Sequence, residues 1–281
     1  MVRYSKLAFR LLVRHYGADI AYTPMIISDC FVRSKAARDI EFTTNAKDRP
    51  LVVQFAAHNT EDFAAAVEYV APFTDGVDLN CGCPQRWAMS EGYGSRLLRQ
   101  PEKIEDMVKT ATRRTNVPVS IKIRISDDIK ETVELARRAE HAGAAWLTVH
   151  GRTPRERCQP VNYAAIATVK DALSIPVLAN GDINSVADAR RVCESTGVNG
   201  VMSARGLLAN PGLFDETACL PDIVRKWVEL SLATGTTFAC FHHHLMFMLE
   251  GAHSRSGTTA LKCVDCLRIP HVCEVIFEIQ Q

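Results

Sequence analysis

Short runs of apolar residues recur along the chain at Ile20–Ile27, Leu51–Ala56, Gly76–Leu79, Val117–Ile125, Ala145–His150, Ile175–Ala179 and Gly200–Ala204. Between them, segments such as Asp62–Val70 (DFAAAVEYV), Lys130–Ala142 (KETVELARRAEHA) and Val186–Glu194 (VADARRVCE) place apolar residues at helical spacing. Near-continuous apolar strands alternating with helices predict parallel strands covered on both faces. Two architectures satisfy that pattern, a doubly wound sheet and a (β/α)₈ TIM barrel. Polar residues stand at the C-terminal end of nearly every run: Gln54, Asn80, Lys122 with Arg124, His150 with Arg152, Asn180 with Asp182, and Arg205. A doubly wound sheet gathers its ligand groups at one switch point, whereas a barrel spreads them over many strand ends. The pattern therefore predicts the barrel.

Seven runs leave that barrel one strand short, and a helix opens the chain at about Ser5. The expectation is an α/β TIM barrel lacking its first strand over residues 1–218. Helical patterns at Pro221–Leu232 and Phe238–Glu250 predict a partial helical domain at 219–250. Residues 251–281 read as a divergent tail whose only expected element is a strand at Val272–Ile279.

Composition narrows the function classes. Lys and Arg number 33 against 32 Asp and Glu, a net charge of +1, so bulk charge does not mark a nucleic-acid binder and any basic patch must be local. Ten cysteines at irregular spacing, no secretory signal, and no stretch near the roughly 20 apolar residues of a membrane span predict a reduced, cytoplasmic protein. The N-terminal Arg3, Lys6, Arg10 and Arg14 leave a mitochondrial presequence as the alternative. The reading favoured is a helix of the fold with a solvated basic face, since it leads directly into a strand. No metal site is expected. His242-His243-His244 lie in a predicted helix, where neighbours point about 100° apart. Cys263-x-x-Cys266 with His271 and Cys273 fits no common structural zinc spacing.

The chemistry centres on Asp78-Leu79-Asn80-Cys81-Gly82-Cys83-Pro84-Gln85, a strand end followed by Gly and Pro. Such a turn projects an amide and thiols above a barrel mouth. Cys81-x-Cys83 is too tight for the usual zinc pair. Lys122 in a central strand would be costly to bury without an anion. Asn180-Gly181-Asp182 and Ala204-Arg205-Gly206 follow the seventh and eighth barrel positions, where barrels commonly hold phosphate.

These motifs resemble the tRNA-dihydrouridine synthase family. The run DLNCGCPQRWAM with Glu91-Gly92-Tyr93-Gly94 resembles its signature. Agreement continues through VVQFA at Val52–Ala56, SIKIR at Ser120–Arg124, VHGRT at Val149–Thr153, NGDI at Asn180–Ile183 and ARG at Ala204–Gly206. The wording of CGCPQRWAM and of FTTN at Phe42–Asn45 is most similar to the eukaryotic branch assigned to D-loop positions 20a and 20b of tRNA.

The resemblance implies FMN as cofactor, NADPH or NADH as electron donor, and tRNA as substrate, with no obligate protein partner. It implies reduction of the uracil C5–C6 bond, with Cys83 as the proton donor and Asn80 orienting the uracil. Gln54, Lys122 and His150 would line the flavin; Asn180, Gly181, Asp182, Ala204, Arg205 and Gly206 would hold its phosphate. A thiol of ordinary acidity is mostly protonated at neutral pH and suits the donor role. Arg86, Arg96, Arg152, Arg155 and Arg157 are expected on the rim, with Arg152 among the substrate contacts. The competing expectations are a catalytically impaired, truncated form of such an enzyme and an FMN-dependent barrel oxidoreductase acting on a small molecule.

Overall fold

A computed structural model describes residues 3–256. The elements run α1 (Leu7–His15), β1 (Ala21–Tyr22), β2 (Ile26–Ile27), α2 (Ser28–Arg33), α3 (Lys35–Glu41), β3 (Leu51–Ala56), α4 (Thr60–Val70), β4 (Gly76–Cys81), α5 (Arg86–Ser90) and α6 (Pro101–Arg114). They continue with β5 (Val119–Arg124), α7 (Ile129–His141), β6 (Trp146–His150), α8 (Tyr163–Asp171), β7 (Val177–Asn180), α9 (Val186–Thr196), β8 (Gly200–Met202), α10 (Arg205–Ala209), α11 (Leu220–Ala233) and α12 (Phe238–Ser256). Side-chain caps start many of the helices that return from the sheet. Asn59, Asp128, Asn162 and Ser185 each accept a hydrogen bond from a first-turn backbone N–H, which satisfies one otherwise orphaned donor.

All strand pairs are parallel, in the order β1-β3-β4-β5-β6-β7-β8, with β2 also on the outer edge of β3. The predicted run Ile20–Ile27 is thus two short pieces of one strand position. Pro24, which has no N–H to donate, divides them; between the two pieces the backbone N–H of Gln54 donates to the Thr23 hydroxyl at 3.0 Å. Among the described residues no ladder joins β8 to β1. Over the described residues the sheet is an open half-barrel of seven positions.

Register sorts the strand residues by parity. Gln54 pairs with Asp78 and Asp78 with Ser120; Asn80 pairs with Lys122 and Lys122 with Thr148; Arg124 pairs with His150 and His150 with Asn180. These polar residues share the concave face. Their odd-numbered neighbours, among them Val53, Phe55, Val77, Leu79, Ile121, Ile123, Leu147 and Val149, form the main core with Phe63, Met107, Leu135, Ile166 and Val192 of the helices. Alternation of this kind is the strand period of two.

A second core lies beside the barrel. Ala8, Phe9, Leu12 and Val13 of α1 pack with Ile223, Val224 and Trp227 of α11 and Met248 of α12. The expected solvated basic face of α1 is corrected here. Arg10 is 1% exposed and donates to Asp48 Oδ2 from Nε at 2.9 Å and from Nη2 at 2.7 Å. Arg14 reaches the other Asp48 oxygen at 3.4 Å, and Lys6 pairs with Glu41. Arg10 and Arg14 face a buried carboxylate and backbone carbonyls, while Lys6 pairs with a carboxylate nearer the surface. α12 runs to Ser256, beyond the Glu250 expected for it, so the helical pattern does not fail at Gly251. His244 is buried on it, stacked on Phe9 and bonded to the Tyr4 carbonyl. The Cys263–Cys273 cluster and the strand expected at Val272–Ile279 lie outside the described residues.

Candidate active site

The concave face carries a continuous polar network. Asp78 is fully buried and accepts from Ser120 Oγ at 2.7 Å and from Gln54 Nε2 at 2.8 Å. Gln54 Oε1 in turn accepts from Asn80 Nδ2 at 3.0 Å. Asn80 Oδ1 accepts the backbone N–H groups of Gly82 and Cys83 at 3.2 and 2.9 Å. Burial raises the Asp78 carboxyl to about 6, against the opposing pull of the Ser120 and Gln54 hydrogen bonds and of Lys122.

Cys83 sits at the head of this network, 9% exposed, packed with Met25, Ala56, Ala88 and Tyr93. Its carbonyl accepts from both the N–H and the hydroxyl of Ser95 at 3.0 Å. Gly94 presses on it with φ +61°, and a Cβ there would lie 2.5 Å from the Cys83 oxygen, so that contact requires glycine. The structure also separates the two thiols. Cys81 has odd parity, lies wholly within the outer core, and burial pushes its thiol up. Only Cys83 reaches the mouth.

Beside the thiol lies a group of cations. Lys122 has no hydrogen-bond or ion-pair partner among the described residues; burial and Arg124 push it down to about 8, while Asp78 and Cys83 oppose that shift. His150 is driven down to about 2, first by burial and then by Lys122, Arg124, Arg152 and Arg205. It is therefore a neutral ring at ordinary pH. Arg124 spans two loops, donating to the Gly82 carbonyl at 3.0 Å and to those of Thr153 and Glu156 at 2.8 and 3.1 Å.

At the ends of β6, β7 and β8 a cavity of about 70 Å³ is lined by His150, Arg152, Asn180–Asn184, Met202 and Ala204–Gly206. It has room for several waters or one small oxyanion. Asn180 Nδ2 bonds the Met202 carbonyl at 2.8 Å, and Tyr163 donates to the Gly181 carbonyl at 2.9 Å. A Cβ on Gly206 would fall 2.2 Å from the Ile183 oxygen, which shows how closely α10 approaches the loop after β7. Asp182, at φ +50°, pairs with Arg152 and with Arg205.

The predicted site residues thus fall into two groups on one face. Gln54, Asn80, Cys83 and Lys122 meet near the thiol; His150, Asn180, Gly181, Asp182, Ala204, Arg205 and Gly206 line the cavity. Arg152 departs from expectation. It is 1% exposed, held by Asp182 and by the Gln159 carbonyl, and so lines the cavity wall rather than the rim. The desolvated guanidinium needs that carboxylate. Arg86, Arg96, Arg155 and Arg157 are exposed, Arg86 on α5 rather than in a loop. Asp78, Ser120 and Arg124 carry parts of the site that motif reading left without roles. The signal available for them was their even parity, shared with Gln54, Asn80 and Lys122.

An open parallel α/β half-barrel that gathers polar side chains at the C-terminal ends of its strands has the architecture of a TIM-barrel enzyme. Sequence comparison places it within that class. The family described as dihydrouridine synthase matches residues 1–264, and the chain belongs to this family of oxidoreductases. A human relative named tRNA-dihydrouridine(20a/20b) synthase [NAD(P)+]-like is 54% identical over 91% of this chain and 82% of its own. The fission yeast (Schizosaccharomyces pombe) tRNA-dihydrouridine(20a/20b) synthase [NAD(P)+] is 42% identical over 89% of this chain and 77% of its own. A rat relative named for positions 16/17 is 37% identical over 94% and 66%.

Among the described residues, no helix is long and apolar enough to cross a membrane. No group of His, Cys, Asp and Glu among them could hold a metal ion.

Proposed function

We propose that this chain reduces uridine to 5,6-dihydrouridine in the D-loop of tRNA, at positions 20a and 20b, with FMN as cofactor and a reduced nicotinamide nucleotide as electron donor. The observation that carries the reading is the placement of Cys83 at a strand end beside Lys122, an enclosed cation with no protein partner among the described residues. A lone cation in such a place suits an anionic ligand. The donor set fits FMN on the same ground: Lys122 faces the concave site, and the Gly181 and Gly206 backbones approach closely around an oxyanion-sized cavity. Asn180, Gly181, Asp182, Ala204, Arg205 and Gly206 would hold the phosphate, with Gln54, Lys122 and the neutral His150 along the rest of the cofactor. When bound, FMN supplies the hydride for uracil C6.

The chain's own residues do the rest. Cys83 Sγ holds the proton that C5 receives. Asn80 has one Nδ2 hydrogen beyond that given to Gln54, which can meet a uracil carbonyl. Arg124 ties the Cys83 turn to the loop after β6, so both sides of the mouth keep their spacing. Arg86, Arg96, Arg155 and Arg157 offer exposed charge for phosphates, and the target base must leave its stack to reach the thiol. Arg152 acts in the cradle, through Asp182, in place of the rim role expected for it.

The test is reduction of unmodified tRNA by the wild type and by Cys83→Ala with FMN and NADPH. Dihydrouridine should fall by roughly 10²–10⁴ in the variant, with reduction of bound FMN by NADPH unchanged. Equal dihydrouridine yield from both proteins refutes the role of Cys83, and no product from the wild type refutes the activity.

A further inference from the structure

We propose that Asp78 is a positioning residue that sets the polarity of the amide chain holding Cys83. The inference rests on the proposed reaction for its rate readout, but its geometric basis stands apart from it.

A carboxylate only accepts hydrogen bonds, and it accepts at both oxygens. Asp78 therefore requires that Gln54 turn its NH₂ inward, where Nε2 lies 2.8 Å from Oδ2. That leaves Gln54 Oε1 facing outward, an acceptor that requires the NH₂ of Asn80, found at 3.0 Å. Asn80 must then present Oδ1 to the turn, where the Gly82 and Cys83 N–H groups meet it at 3.2 and 2.9 Å. The shape of an amide does not distinguish its two ends, so the charge of one residue on the floor of the site decides the orientation of two residues above it. Reversing Asn80 would set its NH₂ against the Cys83 N–H, and reversing Gln54 would set its Oε1 against the Asp78 carboxylate and its NH₂ against that of Asn80, in a buried site where an unmet polar group costs about 1–3 kcal/mol. Asp78 makes no hydrogen bond to Cys83; its side-chain partners are Gln54 and Ser120. The groups around it are Ser120, Gln54, the Lys122 ammonium and the Tyr22 phenol, which Trp146 Nε1 bonds at 2.9 Å.

The arrangement gives an unusual pattern of substitutions. In Asp78→Asn the new Oδ1 can still accept from Gln54, provided its NH₂ turns toward Ser120. The Ser120 hydroxyl can accept that NH₂, because its own proton has a second acceptor in the Val77 carbonyl at 3.4 Å. Asp78→Asn should therefore keep the polarity, and Ser120→Ala should keep it because the carboxylate remains. The double variant has neither the charge nor the acceptor that would orient Asn, so both amide directions become open. Asp78→Leu removes the acceptor altogether.

The experiment measures the rate at which reduced, FMN-loaded protein is reoxidised by unmodified tRNA, alongside reduction of the bound FMN by NADPH. Thermal midpoint and flavin content report folding. We expect Asp78→Asn and Ser120→Ala to stay within about threefold of wild type, and the double variant to fall about tenfold below the product of the two single effects. Asp78→Leu should lose at least as much as the double variant, while the NADPH step changes little in every protein. Multiplicative single effects in the double variant, or full activity in Asp78→Leu, overturn the proposal. If the wild type does not act on tRNA, the same variants are read by the rate at which iodoacetamide alkylates Cys83, followed by peptide mass. The same non-multiplicative pattern then supports the positioning role, and equal rates in all four variants overturn it.

Discussion

Replacing Lys122 with Met should make the cofactor-free protein more stable and at the same time weaken its hold on an anionic cofactor. The ammonium is largely enclosed on β5 and has no partner among the described residues, and its pKa is lowered from 10.5 to about 8. A lowered lysine pKa means the folded state disfavours the charged form. The native state therefore loses stability as pH falls below the unfolded value, and the loss is nearly complete by pH 7. At about 1.36 kcal/mol per unit, the penalty at pH 7 is up to about 3 kcal/mol. It shrinks by about 2 kcal/mol between pH 7 and pH 9.5, since the folded-state lysine is then neutral. Methionine keeps the length without the charge. Thermal unfolding of flavin-free wild type and Lys122→Met across that pH range should show the variant ahead at pH 7 by roughly 6–12 °C, with the gap closing by about 4–8 °C at pH 9.5. Titration with FMN should show weaker binding to the variant. Parallel pH profiles for the two proteins would refute the claim that Lys122 is strained without its ligand.

Two further predictions test the parts that support the site. Asp48→Ala leaves the buried Arg10 guanidinium without the carboxylate oxygen that accepts two of its N–H groups, which should cost about 3–5 kcal/mol; calorimetry should show the midpoint falling by roughly 6–20 °C, and a shift under about 2 °C would contradict the buried pairing. Gly206→Ala puts a methyl against the Ile183 carbonyl, so α10 must move; a loss of about 1–3 kcal/mol in stability together with weaker FMN binding is expected, and unchanged FMN affinity would remove α10 from the cradle.

Much of this was open to sequence reasoning, for physical reasons that differ between fold and site. Strand–helix alternation follows from burial on both faces, so the runs at Leu51–Ala56 and Ala145–His150 reappear nearly unchanged as β3 and β6. Site residues were legible where a strand end placed a polar group in a motif, as at Asn80, Lys122 and His150. Arg152 was misplaced because an arginine in a loop reads as exposed, and nothing local reveals that Asp182, thirty positions on, turns to meet it. The basic face of α1 was misread for the same reason, since Asp48 is 38 residues from Arg10. Asp78 was visible as a letter in a motif. Its role needed the register that sets it opposite Gln54 and Ser120.

The parity of the strands has a consequence for how such a chain can change. Every residue of the polar network and cradle that lies on a strand is even-numbered, and from β3 to β7 the strand residues that bind the helices to the sheet are odd-numbered. Neighbours in sequence therefore answer to different demands, one to cohesion and the next to chemistry. A substitution on the concave face leaves the outer packing intact, so a lineage can try new reactivity on this scaffold one alternate position at a time without first surrendering its fold.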